Sequence, residues 1–281
     1  MNADRARRWF ITGISTGFGR ELARVVVQAG DAVLGTVRNP AQVADLAAEG
    51  IAAIVMDVND EAAVAAGVAA MNERFGGVDV VVNNAGFGMN GTIEALSLDE
   101  LRAVMETNFF GAVRVSKAFI PALRAGGGTI VMISSMAGHI GFGGMGAYCA
   151  SKFALEGVSD ALAEELAPFG IDVLIVEPGA FRTDFSGRSM KGSTRSLDAY
   201  AGTQAGEVRA RLAAYHGNEP GDPVKAAHAI VQVVRSGKPP RRLALGADAV
   251  AGILNKLDSV KQDIEAWRAV SVDTVLDGTD A

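Results

Sequence analysis

The chain has 281 residues, 49% of them hydrophobic, and a formal net charge of −6 at neutral pH. This length suits one large α/β domain with a substantial core, and the negative charge argues against a nucleic-acid partner, because surfaces that bind nucleic acid are usually basic. The apolar runs fall short of the roughly 18 residues that a membrane span requires, so we expect no membrane span.

Short apolar runs rich in Val and Ile recur along the chain and predict β-strands. Runs that are apolar throughout indicate strands that are buried on both faces, and the Ala-rich amphipathic stretches 19–30, 60–76 and 98–123 between them predict helices. Alternating strands and helices predict a parallel sheet with helices on both faces. The predicted strands are 8–12, 32–37, 51–58, 78–84, 128–135, 171–178 and, as a seventh, 242–246.

The chain reads as a single domain, because no Pro- or Ser-rich linker divides it and no repeat is visible. We expect residues 8–180 to form the cofactor-binding and catalytic core. The least regular stretch, 181–221, follows the sixth strand, where loops at the carboxyl edge of a sheet face the ligand crevice, and it is predicted to be a substrate lid. Residues 247–281 are expected to form a helical tail.

The sequence TGISTGFG at 12–19 closes the first strand and opens the first helix. Glycine at these positions permits a tight turn, a close approach of a pyrophosphate to the backbone, and close packing of the helix on the sheet, while the helix N-terminus attracts phosphate. An ordinary glycine-rich turn is the alternative. The predicted cofactor-binding residues here are Gly13, Ser15, Thr16, Gly17, Phe18 and Gly19.

The end of the second strand bears on the choice of dinucleotide. An acidic residue there would bind the ribose 2′-hydroxyl of NAD, but this chain has Val37 at that place, followed by Arg38. A guanidinium suits a 2′-phosphate, so the sequence favours NADP(H), with NAD(H) possible. Alternatively, Arg38 stacks on the adenine or points to solvent.

Six motifs in order carry a resemblance to the short-chain dehydrogenase/reductase family over about residues 8 to 185. They are TGISTGFG at 12–19, DV at 57–58, NNAG at 83–86, ISS at 133–135, YCASK at 148–152 and PGAFRT at 178–183. The resemblance implies a Rossmann-type doubly wound sheet of about seven strands, a nicotinamide cofactor and a catalytic tetrad. The tetrad residues would be Asn108, Ser135, Tyr148 and Lys152.

The same resemblance implies further cofactor contacts. Asp57 and Val58 would lie around the adenine, Asn84 near the ribose, and Thr183 toward the carboxamide and the phosphates. The residue sequence of the glycine-rich turn is similar to that of NADP-preferring steroid, retinol and carbonyl reductases. The remaining contacts would come from Ala85, Gly86, Pro178, Gly179, Tyr148 and Lys152.

Tyr148 and Lys152 are four residues apart, so a helix places both on one face. By itself such a pair is usually an exposed contact. An ammonium about 4 Å away is worth about 4 kcal/mol at an effective dielectric constant near 20, which would lower the pKa of the phenol by two to three units. Tyr148 would then exchange a proton with a carbonyl oxygen, while Ser135 hydrogen-bonds that oxygen and Asn108 holds a water that passes protons from Lys152.

These residues predict an oxidoreductase that interconverts a small apolar carbonyl compound and an alcohol. A dinucleotide-binding regulator with the same fold and no turnover is the alternative. An epimerase or dehydratase is a third, but it goes with a different glycine motif. Wide apolar surfaces on the fourth and fifth helices predict a homodimer or homotetramer.

The cysteine and histidine content excludes several other kinds of site. One cysteine and three histidines allow no internal disulfide and show no metal-ligand spacing, which favours a cytoplasmic protein without a metal. Cys149 is expected to be a packed thiol. His139 is expected to be a solvated loop residue or, alternatively, a substrate contact.

Overall fold

A computed structural model describes residues 5–276 and shows a central sheet of seven parallel strands. The strand order is β3-β2-β1-β4-β6-β7-β9, so the order reverses between β1 and β4. Ligand crevices of open parallel sheets lie at such a reversal, outside the carboxyl ends of the strands. The strands are β1 Arg8–Ile11, β2 Ala32–Val37, β3 Ala52–Val55, β4 Val80–Asn83, β6 Gly128–Ile133, β7 Ile171–Pro178 and β9 Arg242–Leu245.

Helices cover both faces of this sheet, which explains why its central strands are apolar throughout. One core lies between the sheet and α1, α2 and α8, and the other between the sheet and α3, α5 and α6. The helices are α1 Gly17–Gln28, α2 Ala41–Ala48, α3 Glu61–Phe75, α4 Leu98–Met105, α5 Ala112–Arg124, α6 Gly146–Leu166, α7 Val208–Tyr215, α8 Pro223–Arg235, α9 Ala247–Ala266 and α10 Arg268–Val272.

The predicted fold class and the seven strands are confirmed, and the segment 98–123 is helical as predicted, although it is not one uninterrupted α-helix. The chain there forms α4, then a π-helical turn at Glu106–Gly111, then α5. The pattern of apolar residues continues through the turn, so periodicity alone does not reveal the break. Such π-helical turns are frequent at functional sites, and this one contains Asn108.

The segment 181–221 is tied to the rest of the protein by a second, smaller sheet. Strand β8, Met190–Gly192, pairs in parallel with β5, Gly88–Asn90, which follows shortly after the NNAG motif. Three-residue strands carry too little pattern to be read from the sequence. The segment continues into α7, whose Val208 and Leu212 pack toward Tyr148.

The C-terminal helix is buried only where it begins. Ala249 and Ile253 are buried, whereas from Leu254 onward the described residues are exposed. The segment 247–281, predicted to be a helical tail, contains α9 and α10, and its last five residues, 277–281, lie outside the described part of the chain. Among residues 5–276 we find no helix with the length and apolar content of a membrane span.

Candidate active site

The glycine-rich turn between β1 and α1 is built on two glycines with positive φ, Gly13 at +71° and Gly17 at +60°. This conformation is costly for residues with a side chain. A Cβ atom on Gly19 would lie 2.4 Å from Asn84 Nδ2 and 2.6 Å from the Gly13 carbonyl oxygen. Asn84 Nδ2 itself donates to the carbonyl oxygens of Thr12 and Gly13, at 2.8 and 3.0 Å. The NNAG motif therefore supports the turn from the neighbouring strand.

A cavity of about 1150 Å³ opens at the carboxyl edge of the sheet, where the strand order reverses. Two predicted site residues, Gly19 and Asn108, do not line it. Gly19 is packed behind the turn, as the close approach of helix and sheet requires. The predicted residues that do line the cavity are Gly13, Ser15, Thr16, Gly17, Phe18, Arg38, Asp57, Val58, Asn84, Ala85, Gly86, Ser135, Tyr148, Lys152, Pro178, Gly179 and Thr183.

Arg38 stands at one end of this cavity, directly after β2. Its side chain is exposed and makes no ion pair or hydrogen bond with any residue in 5–276. Val37 is buried, and the nearby Asp57 accepts a hydrogen bond from the backbone N–H of Asn59 at 2.9 Å. At this end of the cavity, the Arg38 guanidinium is therefore not paired with any other group among the described residues.

Tyr148, Lys152 and Ser135 meet at the other end of the cavity. Tyr148 and Lys152 lie on α6 and are both buried. Lys152 Nζ is 5.8 Å from the centroid of the Tyr148 ring and donates to the Ile133 carbonyl oxygen at 2.7 Å. Ser135 follows β6, and its Oγ accepts from the backbone N–H of Ala137 at 3.1 Å.

Burial, rather than the neighbouring charge, dominates the ionisation of the pair. Desolvation raises the pKa of the Tyr148 phenol above its ordinary value, against a smaller lowering by its hydrogen bond with Ser135. Desolvation also lowers the pKa of Lys152 to about 8, while the carboxylate of Glu156 acts to raise it. The expected lowering of the phenol pKa is therefore wrong for the protein by itself, because desolvation of the buried phenol outweighs the lowering that its neighbours supply.

The Asn108 side chain is fully engaged in the π-helical turn. Its Nδ2 donates to the Phe87 carbonyl oxygen and to Ser151 Oγ, both at 3.0 Å, and its Oδ1 accepts from the Phe87 N–H at 3.0 Å. The side chain thus fixes the backbone that follows NNAG. Its role in holding a water for Lys152 stays a prediction. The hydrogen bonds of the side-chain amide are made to Phe87 and Ser151 instead.

Apolar side chains surround the phenol on the side of the 181–221 segment. The Phe185 ring centroid is 5.3 Å from that of Tyr148, and Met190, Val208 and Leu212 pack on the same cluster. Cys149 belongs to the same cluster and is buried, with its pKa raised by desolvation, which is the packed thiol that the sequence predicts. The space beside Tyr148 is suited to an apolar molecule.

His139 points inward, which neither reading of the sequence anticipated. Its Nε2 lies 3.0 Å from Glu177 Oε1 and 3.9 Å from Glu156 Oε2, and it does not line the cavity. Among residues 5–276, His139, Glu156 and Glu177 are the one trio whose ligating atoms lie within 4.8 Å of one another. The sequence gives no sign that the two glutamates meet, because each lies in an apolar stretch of a separate element. Arg242, on β9, completes the group.

The cavity fits a dinucleotide. The glycine-rich turn leaves room for a pyrophosphate at the start of α1. A Cβ atom added to Gly17 would project into this space and lie 3.5 Å from the Thr183 side chain on its other side. Arg38 offers a cation at one end, and Tyr148, Lys152 and Ser135 offer acid, cation and hydroxyl at the other. Arg38 would hold the adenosine portion, the glycine-rich turn the pyrophosphate, and Tyr148, Lys152 and Ser135 the nicotinamide portion.

Comparisons with known proteins agree with this geometry. The family model described as short chain dehydrogenase matches residues 7–193. The oxidoreductase BOA17 of Botryotinia fuckeliana is 38% identical over 269 residues, which cover 94% of this chain and 97% of that protein. A short-chain dehydrogenase from Streptomyces avermitilis has a TM-score of 0.88 and 43% identity, covering 96% of this chain and 100% of that one.

A third comparison concerns a structure that contains a dinucleotide analogue. The alcohol dehydrogenase of Thermococcus sibiricus, solved with 5-hydroxy-NADP, has a TM-score of 0.68 and 25% identity, covering 86% of this chain and 96% of that one. Solved proteins of this fold therefore bind nicotinamide dinucleotides.

The packing of the turn can be tested with two glycine substitutions. We expect Gly19→Ala to destabilise the protein by about 2 kcal/mol, because the new methyl group would overlap Asn84 and Gly13. Thermal unfolding should then shift down by about 4 to 8 °C. The control is Gly157→Ala, an exposed position of α6 with no heavy atom within 4 Å of the added Cβ, which should be stabilising by about 0.5 to 1 kcal/mol. Equal melting temperatures for the two variants would contradict the close packing.

Proposed function

The chain belongs to the short-chain dehydrogenase family, and from that premise we propose that it is an NADP(H)-dependent oxidoreductase that interconverts a small apolar carbonyl compound and an alcohol. The observation that carries the proposal is the meeting of Tyr148, Lys152 and Ser135 in the cavity that the glycine-rich turn and Arg38 also line. A regulator that only senses a dinucleotide would need the turn and not this trio.

The residues of this end have separate tasks in the reaction. The nicotinamide, when bound, supplies or accepts the hydride. Tyr148 donates its phenolic proton to the carbonyl oxygen as that oxygen gains negative charge, and it takes the proton back in the reverse direction. Ser135 hydrogen-bonds the same oxygen. Lys152, as an ammonium, stabilises the phenolate left on Tyr148 and offsets the desolvation that otherwise raises the phenol pKa.

The proposed substrate is apolar because of what faces Tyr148. Phe185, Met190 and Leu212 form the wall on that side, and all three belong to the segment 181–221, which we infer to be the lid. Closing an apolar lid excludes water, which strengthens the interactions of Lys152 and Ser135 with charge that develops on the carbonyl oxygen.

The preference for NADP(H) rests on Arg38. Its uncommitted guanidinium follows β2, where a ribose-binding carboxylate would select NAD, and the 2′-phosphate of NADP is the anion that it would bind. The NADP analogue bound to the related alcohol dehydrogenase is in keeping with this choice.

We also propose a homodimer or homotetramer in the cytoplasm. Leu98, Phe110 and Phe153 are large apolar side chains that remain exposed on α4, the π-helical turn and α6. Burial of these side chains against a second copy would remove them from water. A single buried thiol, Cys149, suits a reducing compartment.

The first test removes the proposed acid. Tyr148→Phe should lower turnover by about 10²- to 10⁴-fold, because the ring is kept and the proton donor is lost, while NADPH binding measured by fluorescence should stay near the wild-type value. Turnover is followed as NADPH consumption with a panel of apolar ketones, aldehydes and quinones. Tyr200→Phe, a half-buried position outside the cavity, is the control. Wild-type turnover in Tyr148→Phe would refute the mechanism, and NADPH binding without turnover of any carbonyl would favour the sensor.

The second test concerns cofactor choice. Arg38→Ala should reduce the ratio of kcat/KM for NADPH to that for NADH by about 10- to 100-fold, since a hydrogen bond to a charged group is worth about 1.5 to 3 kcal/mol. The control is Arg74→Ala, which removes a guanidinium from the end of α3, before β4 begins. An unchanged ratio in Arg38→Ala would show that this residue does not select the cofactor.

The third test concerns assembly. Sedimentation velocity at micromolar concentration should show a dimer or tetramer for the wild type and a shift toward monomer for Phe110→Asp, because burying a carboxylate in an apolar interface is costly. Val55→Asp places the same charge on an exposed residue of the edge strand β3 and should leave the assembly unchanged. A wild-type monomer would rule out the proposed contact.

A further inference from the structure

A group of ionisable side chains lies behind the cavity, next to the residues that carry the proposed chemistry. Its members come from four parts of the chain: Glu156 from α6, Glu177 from β7, Arg242 from β9 and His139 from the loop after Ser135. We call these four residues the ionic cluster. Glu156 and Glu177 are buried, so their charges must be balanced within the protein.

Distances within the ionic cluster show that one cation is shared by two carboxylates. Arg242 Nε lies 3.2 Å from Glu177 Oε1 and 3.4 Å from Glu156 Oε2. His139 Nε2 is closer to Glu177 Oε1, at 3.0 Å, than to Glu156 Oε2, at 3.9 Å. Glu177 is therefore the better paired of the two carboxylates.

Glu156 has ionic neighbours but, among the described residues, no hydrogen-bond partner. Neither of its carboxylate oxygens makes a hydrogen bond of standard geometry with any residue in 5–276, and the same is true of the neighbouring Ser134 hydroxyl. Desolvation raises the pKa of Glu156, Glu177 raises it further by repulsion, and Ser134, His139 and Arg242 oppose the rise. The charge on this carboxylate is thus incompletely compensated.

The trio of His139, Glu156 and Glu177 has the donor atoms of a divalent-metal site. However, the Arg242 guanidinium already lies against both carboxylates, which is where a metal ion would have to sit. It also reaches Asp160 at 2.6 Å, and Asp160 pairs in turn with Arg241 near the surface. Counted by themselves, Glu156, Glu177 and Arg242 carry one net negative charge when both carboxylates are ionised, and a single further monovalent cation would balance it.

Lys152 is the cation that fits. It precedes Glu156 by four residues on α6, so both side chains lie on one face of the helix. Lys152 is buried, and the only hydrogen bond that its Nζ makes among the described residues is to the Ile133 carbonyl oxygen. Among the described residues, no carboxylate contacts the remaining ammonium protons. The negative charge of Glu156 raises the pKa of Lys152, and desolvation lowers it.

We propose that Glu156, held by the ionic cluster, is a positioning residue that keeps Lys152 in its ammonium form near neutral pH. This inference rests on the proposed function, because the ammonium matters only if it supports Tyr148. Glu156 contacts neither the cavity nor the substrate side. The charged and titratable groups that face Glu156 are Lys152 and Asp160 on α6, His139, Glu177 and Arg242.

The direct test titrates Lys152 in the cofactor-free protein. With ¹³Cε-labelled lysine, NMR should show Lys152 titrating near pH 8 in the wild type, the signal being identified by its loss in Lys152→Arg. In Glu156→Gln the supporting anion is gone, so desolvation should lower the Lys152 pKa by about one further unit. The ammonium is then lost at lower pH. Because no turnover is measured, this result stands apart from the fate of the proposed function.

Two variants control the titration. Glu156→Asp keeps the charge and should keep most of the wild-type Lys152 pKa. Glu164→Gln makes the same change of charge at an exposed position of α6 and should leave it unchanged. An unaltered Lys152 pKa in Glu156→Gln that is still folded would overturn the proposal. So would stoichiometric zinc or manganese in the purified protein that requires Glu156 for binding, because the carboxylate would then serve a metal.

The consequence for activity is a change in the pH profile. If the wild type turns over carbonyl substrates, the alkaline limb of kcat/KM in Glu156→Gln should move to lower pH by about one unit, in step with the Lys152 titration. A loss of activity that is uniform across pH would indicate a structural role and overturn the positioning role, since damage to the fold has no reason to follow the charge of Lys152.

Discussion

The ammonium group of Lys152 is almost completely buried, and desolvation works against its charge. The rest of the site depends on how that cost is offset. Lys152 is next to Tyr148, whose phenol is buried as well, and a phenolate would be even harder to hold there without a cation. Burial thus makes each group need the other, and the carboxylate of Glu156 supports the pair from behind. The proposed chemistry therefore depends on the packing of α6, β7, β9 and the loop after Ser135, and not on the YCASK motif alone.

Much of the fold could be read from the sequence because burial on both faces leaves a simple signature. Continuous runs rich in Val and Ile predicted the first six strands of the seven-stranded sheet. The glycines at 13, 17 and 19 predicted the first turn, since positive φ and close packing restrict those positions strongly. These are local constraints, and local constraints are visible in a short window. Family membership follows from the same windows taken in order.

The parts that were missed or wrong depend on contacts between distant residues. His139 looked like a solvated loop residue, yet Glu177, 38 positions later, draws it inward. The phenol pKa was expected to fall, because spacing on a helix gives the distance to a charge but not the extent of desolvation. The π-helical turn also cannot be recognised in the sequence, because the contacts that hold Asn108 there are with Phe87 and Ser151, which are distant along the chain.

The single cysteine has a practical consequence. Cys149 lies directly after Tyr148 and is buried, and its Sγ accepts from the backbone N–H of Phe142 at 3.4 Å. A buried thiol reacts with an alkylating reagent only when the residues packed around it move aside. The chain therefore carries its own reporter: the rate of alkylation of one native thiol measures how often the start of α6 and the loop before it open, with no label to introduce and no other cysteine to remove.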